Sequence, residues 1–218
     1  TIVNRGPALA TINVLPTLWF RNTWTWGSEY EGDWPKPQMS LDENNQVVSE
    51  HVTLGRYHMA AESNVSGKAV RWLFTENESN PKYLHNPELG GRYYKDAFHE
   101  YVVNRRTSAV NPGNEGTKAA AMYRVILRAG EEVTLQLRLW NSDSMPAEVF
   151  GQTFKEIFAL RKAEADGFYA EKIPADLPDQ TRQILRQAYS GLMWTKQFYY
   201  YVVNEWLNGD ANMPALPG

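Results

Sequence analysis

The chain has no cysteine among its 218 residues. Disulfides, thiolate nucleophiles and cysteine-based zinc sites are therefore excluded, and the redox compartment stays open. An excess of one charge is also missing: 22 Lys and Arg stand against 25 Asp and Glu, a formal net charge of −3. That balance argues against a sequence-blind nucleic-acid binder, which carries a strong basic surplus. No long apolar run suggests a membrane span. The uncharged stretch from Gly6 to Phe20 is too short for one and contains Pro16. There is no P-loop, no G-x-G-x-x-G and no G-x-S-x-G, and Gly90-Gly91-Arg92 is too short to cradle a phosphate. No Ser or Thr has a visible His partner. Of the four His, the strand spacing of His51 and His58 places them on opposite faces, which spoils a shared metal site. No cofactor and no metal is expected.

What is abundant is aromatic: eight Trp, twelve Tyr and eight Phe make 13% of the chain. Such content fills a large core or lines a ligand surface, and composition does not choose between them. Both ends read as cut. The first residues, Thr1-Ile2-Val3-Asn4, resemble the middle of a strand, and Asn212 to Gly218 resembles the start of a Pro-rich linker. The expectation is a piece of a longer protein.

Two compositional halves follow. Up to about residue 145 the chain carries strand signals. Ala8 to Phe20 and Gln46 to Ala60 read as strands. In Lys68 to Thr75, Val70, Trp72 and Phe74 share one face at period two. Ala119 to Leu127 and Val133 to Trp140 read as a hairpin around Arg128-Ala129-Gly130-Glu131-Glu132. Its second strand turns Val133, Leu135, Leu137 and Leu139 one way. Antiparallel strands without intervening helices predict a β-sandwich over 1–145. Asn77 to Arg92 and Asn111 to Gly116 read as long loops. From about 147 the periodicity becomes helical, with Phe154, Ile157, Phe158, Arg161, Ala165, Phe168 and Tyr169 at steps of three and four. Pro174 and Pro178 break it, and a second helix is predicted from an Asp179 cap to about Leu207, stopped at Asn208-Gly209. Trp194 and Phe198 to Tyr201 ring that helix on every side. Such a helix is buried among others, and this chain offers one other, so association or a missing partner is expected.

The densest feature is Leu15-Pro16-Thr17-Leu18-Trp19-Phe20-Arg21-Asn22-Thr23-Trp24-Thr25-Trp26-Gly27. At strand spacing Phe20, Asn22, Trp24 and Trp26 share a face, opposite Trp19, Arg21 and Thr23. Two readings apply. The plainer is a strand whose Trp rings fill a core or an interdomain contact. The sharper is a sugar-contacting surface, in which Trp19, Trp24 and Trp26 stack on sugar C–H faces while Arg21 and Asn22 reach hydroxyls. Glu76 and Glu78 would lie about 7 Å apart on one strand face, near the lower end of the carboxyl separation of inverting glycosidases. The plainer reading there is a solvated strand end. Two Asn-x-Ser sequons, at Asn64 and Asn77, carry little without a secretory context.

Several segments together resemble one family. Asn4-Arg5-Gly6-Pro7, Leu15 to Trp24, Leu73-Phe74-Thr75-Glu76-Asn77-Glu78 and Ala109-Val110-Asn111-Pro112 resemble the bacterial glucosidase-like proteins of glycoside hydrolase family 63. So do Gly116-Thr117-Lys118-Ala119-Ala120, Glu164-Ala165-Asp166-Gly167-Phe168-Tyr169 and Trp194-Thr195-Lys196-Gln197-Phe198-Tyr199-Tyr200-Tyr201. The resemblance runs in order along almost the whole chain. It implies an N-terminal antiparallel super-β-sandwich (1–145, incomplete at its start), a helical linker (146–178) and the first helix (179–218) of an incomplete (α/α)6 toroid that hydrolyses α-glucosides with inversion. The family's acid and base lie in toroid segments absent from this chain, so no catalytic residue is carried over. The implied role is a non-catalytic accessory part that buttresses the toroid and shapes one side of the sugar pocket, inactive alone. Its partners would be an α-glucoside carbohydrate and the remaining catalytic domain, with no nucleic acid and no membrane. The compartment is not readable, the bacterial resemblance leaning to the cytoplasm. The rival is a stand-alone carbohydrate-binding β-sandwich module. A third reading makes Glu76 and Glu78 a complete hydrolase pair.

Overall fold

Strand-forming segments dominate the first 141 residues and long helices follow Gly151, giving a chain that is mostly β-sheet, with helices toward its C-terminal end. The computed structural model describes residues 1–24, 35–63, 67, 69–81, 93–195 and 203–209. The chain divides into two units, Thr1–Phe150 and Gly151–Gly218.

Among its described residues the first unit holds eleven strands: β1 (Ile2–Val3), β2 (Ala10–Val14), β3 (Thr17–Trp19), β4 (Gln38–Leu41), β5 (Val47–His51), β6 (Gly55–Ala61), β7 (Arg71–Thr75), β8 (Glu115–Gly116), β9 (Lys118–Leu127), β10 (Glu132–Val133) and β11 (Leu137–Asn141). A five-stranded antiparallel sheet runs in the order β11-β6-β5-β4-β8. A second sheet is built on β9, with β7 on one edge and β2 and β3 on the other. Thr17 opposes Ala120 and Val14 opposes Tyr123, so β2 and β3 keep one register. The gap between them is Pro16, which has no N–H to donate but still accepts from Ala121 N–H at 3.0 Å.

Along β7 and the first half of β9, both faces of the second sheet are buried. Val70, Trp72, Phe74, Ala119, Ala121, Tyr123, Val125 and Leu127 form one core with Met39, Val47 and Met59 of the five-stranded sheet. The expected period-two face of Val70, Trp72 and Phe74 is therefore the inter-sheet face. On the other side Leu73 and Ala120 pack with Ala97 and Phe98 of helix α1 (Ala97–Val102) and with Val110. The alanines of β9 admit this double coverage, because small side chains let a sheet and a helix approach a strand closely on both faces.

Gly116 marks where the chain leaves one sheet for the other. β8 pairs with β4, and Thr117, two residues after Glu115, leads into β9. A Cβ on Gly116 would lie 2.4 Å from the Thr75 carbonyl oxygen, so only glycine lets the crossing strand pass β7 this closely.

Three expectations are corrected. The residues 119–127 and 133–140 do not form a hairpin: β9 stays in the second sheet, while β11 pairs with β6. The Arg128–Glu132 turn, with Gly130 at φ 76°, sends the chain across to the other sheet through β10, which pairs with β1. Leu135 and Leu137 do pack on the core, but Leu139, at the sheet edge, stays half exposed and Trp140 is the buried residue. Second, Gln46 to Ala60 is two strands. His51 Nδ1 accepts from Thr53 N–H at 3.2 Å, and Gly55 takes φ 81°, turning β5 back into β6. His58 opposes Val48, on the face opposite to His51.

The third correction concerns the helical unit. Helix α2 (Gln152–Lys172) ends before Pro174, as the periodicity predicts. Helix α3 (Asp179–Trp194) does not continue to Leu207. Thr195 leaves helical geometry at its end, its Oγ1 donating to the Gly191 carbonyl at 2.7 Å. A separate helix α4 (Val203–Asn208) follows, with Gly209 at φ 84°. Residues 196–202, including Lys196 and the Phe198 to Tyr201 aromatics, lie outside the described residues. Asp179 is the first helical residue rather than the cap, and its carboxylate pairs with Arg182 at 3.3 Å. Helices α2 and α3 form a hairpin. Arg186 bonds Asp166 at 2.7 Å and lies over the Tyr169 ring, whose hydroxyl meets Ser190 Oγ at 2.6 Å.

Candidate functional site

In the described part of the aromatic run, 15–24, the strand extends only to Trp19, because the ladder to β9 ends there. Phe20 N–H still donates to the Thr117 carbonyl at 3.1 Å, and its ring packs toward the inter-sheet core and beside His51. The chain then leaves the sheet, so the alternation expected through Trp24 lapses. Trp19 is 57% exposed, on the face opposite to Phe20. Arg21 is exposed, while Asn22 and Trp24 are half-buried. Trp26 lies outside the described residues.

Of the five expected site residues, Trp24 is drawn into a polar cluster. Its indole Nε1–H donates to Glu78 Oε1 at 2.7 Å. Lys36 Nζ lies 2.8 Å from that same oxygen, 3.0 Å from Glu76 Oε2 and 5.7 Å from the Trp24 ring centroid. Thr117 Oγ1 donates to Glu76 Oε2 at 2.7 Å and accepts from Asn77 N–H at 2.8 Å. Asn77 Nδ2 donates to the Phe20 carbonyl at 2.8 Å, tying the aromatic run to the end of β7. Lys36 precedes β4, whereas Glu76 and Glu78 follow β7. One ammonium thus clasps the ends of both sheets.

Burial pushes the Glu78 carboxyl up, but the Lys36 ammonium and the Trp24 N–H outweigh it and hold Glu78 below the usual carboxylate range. For Lys36, burial pulls downward and the bonds to Glu78 and Glu76 outweigh it, so its ammonium is held above the usual lysine range. Both charges persist at neutral pH. Beside the cluster opens a hollow of about 220 Å³, lined by Lys36, Gln38, Ser40, Glu76, Glu115 and Thr117 among others. Its walls come from both sheets, and its groups are hydrogen-bond donors and acceptors with three charges among them.

Lys36 and Thr117 were not singled out from the sequence. Their partners lie 42 and 41 residues away, and nothing in local spacing announces an ion triplet assembled across two sheets. The one available signal was Glu76-Asn77-Glu78 directly after the largely buried strand β7, a place where unpaired carboxylates would be costly.

The described residues therefore define a β-rich unit with a charged, aromatic-flanked polar site where its two sheets end, followed by helices. The chain is similar to an uncharacterized Saccharomyces cerevisiae protein, YMR196W, with 37% identity over 243 aligned residues. The alignment takes in 100% of this chain and 22% of the yeast protein. No family model matches the chain, and no solved structure matches it.

Proposed function

We propose that this chain is a non-catalytic accessory part of an inverting, α-glucosidase-like glycoside hydrolase. In this reading the two sheets are a super-β-sandwich, and α2 to α4 are the linker and the opening of an (α/α)6 toroid. The sandwich buttresses the toroid, and the Trp19 to Trp24 segment shapes one side of its sugar pocket.

The observation that carries the reading is the Lys36–Glu76–Glu78 triplet. Inverting hydrolysis needs one carboxyl that keeps its proton and a second that activates water across the scissile bond. Here both carboxylates share one ammonium, and Glu78 is held ionised by Lys36 and Trp24. That arrangement fixes the loop; it does not donate a proton. Trp24, pinned by its N–H, still offers part of its ring, and Trp19 offers more. Further support comes from the similarity to a protein of which the chain spans only 22%, and from α3, whose apolar residues stand exposed.

The test has two arms. The purified chain, given nitrophenyl α-glucoside, is expected to release no nitrophenol above a protein-free control. Turnover lost in Glu76→Gln would overturn the reading and promote the two carboxylates to a catalytic pair. Maltose titrated against Trp fluorescence is expected to give a response in the longer parent protein, lost in Trp24→Ala, and none in this chain. A Trp24-dependent response in this chain alone would assign it instead as a self-contained carbohydrate-binding module.

A further inference from the structure

A second hollow in the first unit, of about 540 Å³, lies apart from the Lys36 triplet and is the roomier of the two. Its size falls within the range of small-molecule sites, roughly 300–1,000 Å³. It is lined by Asn45, Arg71, Trp72, Tyr93, Ser108 and Asn114 among others. Three properties set it apart.

The first is charge. Among the described residues of the lining, Arg71 is the single charged one. Among the described residues its guanidinium enters no ion pair, and it lies over the Tyr101 ring at 5.3 Å. A guanidinium in a lining whose described residues include no carboxylate attracts an anion, with a fork geometry suited to carboxylate or phosphate.

The second is backbone geometry. Four described non-glycine residues have positive φ, and three of them line this hollow: Asn45 at 59°, Tyr93 at 63° and Asn114 at 54°. Asn tolerates this conformation, but a bulky Tyr does so only when its surroundings enforce it. The enforcement is visible. Glu76 N–H holds the Tyr93 carbonyl at 2.7 Å, Leu41 N–H holds the Asn114 carbonyl at 3.1 Å, and the Trp72 indole holds the Asn45 carbonyl at 3.0 Å. The third is lining chemistry. Thr107, Ser108, Asn111 and Asn114 bring hydroxyls and amides to a lining that also includes Tyr93, a mixture that suits a ligand rich in hydroxyls.

We infer that this hollow binds a monosaccharide-sized polyol carrying an anionic group, as in a sugar phosphate, with Arg71 on the anion and Thr107 and Ser108 on the hydroxyls. The inference does not rest on the function proposed above: Glu76 enters only through its backbone N–H to Tyr93, and no side chain of the triplet contacts the ligand.

Calorimetric titration of the chain with glucose 6-phosphate, glucose and inorganic phosphate tests it. Saturable binding of glucose 6-phosphate is expected, with glucose and phosphate each weaker by about tenfold or more. Arg71→Gln, at an exposed strand end, is expected to weaken glucose 6-phosphate by about tenfold or more while its thermal midpoint stays at the wild-type value. Ser108→Ala should weaken it by a few-fold. No heat at about 10 mM ligand would overturn the inference. So would binding unchanged in Arg71→Gln, or glucose or phosphate alone binding as tightly as the combined ligand.

Discussion

The two units bring similar apolar material to the chain and cover it very differently. In the first, Val47, Phe74, Ala119, Ala120 and Ala121 are fully buried, and the second sheet has a packed layer on each face. In the second, Ile173 at 7% exposure is the one buried hydrophobic among the described residues, and Trp194 is 91% exposed. The α2–α3 hairpin is held by a salt bridge, a hydroxyl pair and an Arg–Tyr contact. Exposed polar pairs of that kind contribute little. A sheet can satisfy its strands with a second sheet from the same chain. A helix pair whose apolar residues stand exposed needs surface from elsewhere. Stability measured on this chain should therefore report the β unit.

The sharpest break of this comparison is a pair of core truncations. Phe74→Ala should destabilise by about 3–5 kcal/mol, while Leu192→Ala in α3 should stay within about 0.5 kcal/mol. Chemical denaturation followed by Trp fluorescence gives both numbers, and equal losses would erase the distinction. Next in size is the crossing point. Gly116→Ala drives a methyl against the Thr75 carbonyl and should cost about 1–3 kcal/mol, whereas Gly167→Ala in α2, where an added Cβ meets nothing, should be neutral or stabilising.

The clasp between the sheets comes third. Lys36→Met leaves Glu76 and Glu78 facing each other without a cation and should cost about 1–2 kcal/mol, less than a deeply buried pair because all three groups retain solvent contact. Its pH signature follows from sign. Glu78 in the folded chain lies below its ordinary value of 4.5, so the unfolded chain takes up the proton first. The stabilisation is complete above that value and is lost as pH falls through the folded one. Glu78→Gln should flatten that acid limb. Tyr123 works at the other end. Burial first, and the Glu62 carboxylate second, push its hydroxyl up to about 12 from 10.0. Stability tied to the neutral phenol is full below pH 10 and declines as pH rises toward 12. Smallest is Thr75→Val. The buried Thr75 hydroxyl has no hydrogen-bond partner among the described residues, so replacing it with a methyl should gain up to about 1 kcal/mol.

Much of this fold could be read from local pattern. The face of Val70, Trp72 and Phe74, the helix from Gln152 and the stop before Pro174 all express a period or a forbidden backbone, and those act within a few residues. Strand partners do not. Leu127 and Val133 flank a good turn, yet both edges of β9 are already taken by β7 and by β2 with β3, so β11 serves the first sheet instead. The end of α3 at Trp194 was hidden because the apolar residues continue past it. The candidate site was half visible: Trp24, Glu76 and Glu78 stood out by type, but Lys36 joins them only through the fold. Asn114 fell in the expected loop Asn111 to Gly116, but nothing in local pattern brought it together with Asn45 and Tyr93, which meet only through the fold.

Amide hydrogen exchange on the intact chain tests most directly whether the β unit alone carries the stability. Amides of β7 and β9 should exchange only through global unfolding, with protection matching the free energy from denaturation, while those of α3 should exchange orders of magnitude faster. Protection in α3 equal to that in β9 would contradict this and would mean that the helices are already fully covered within the chain.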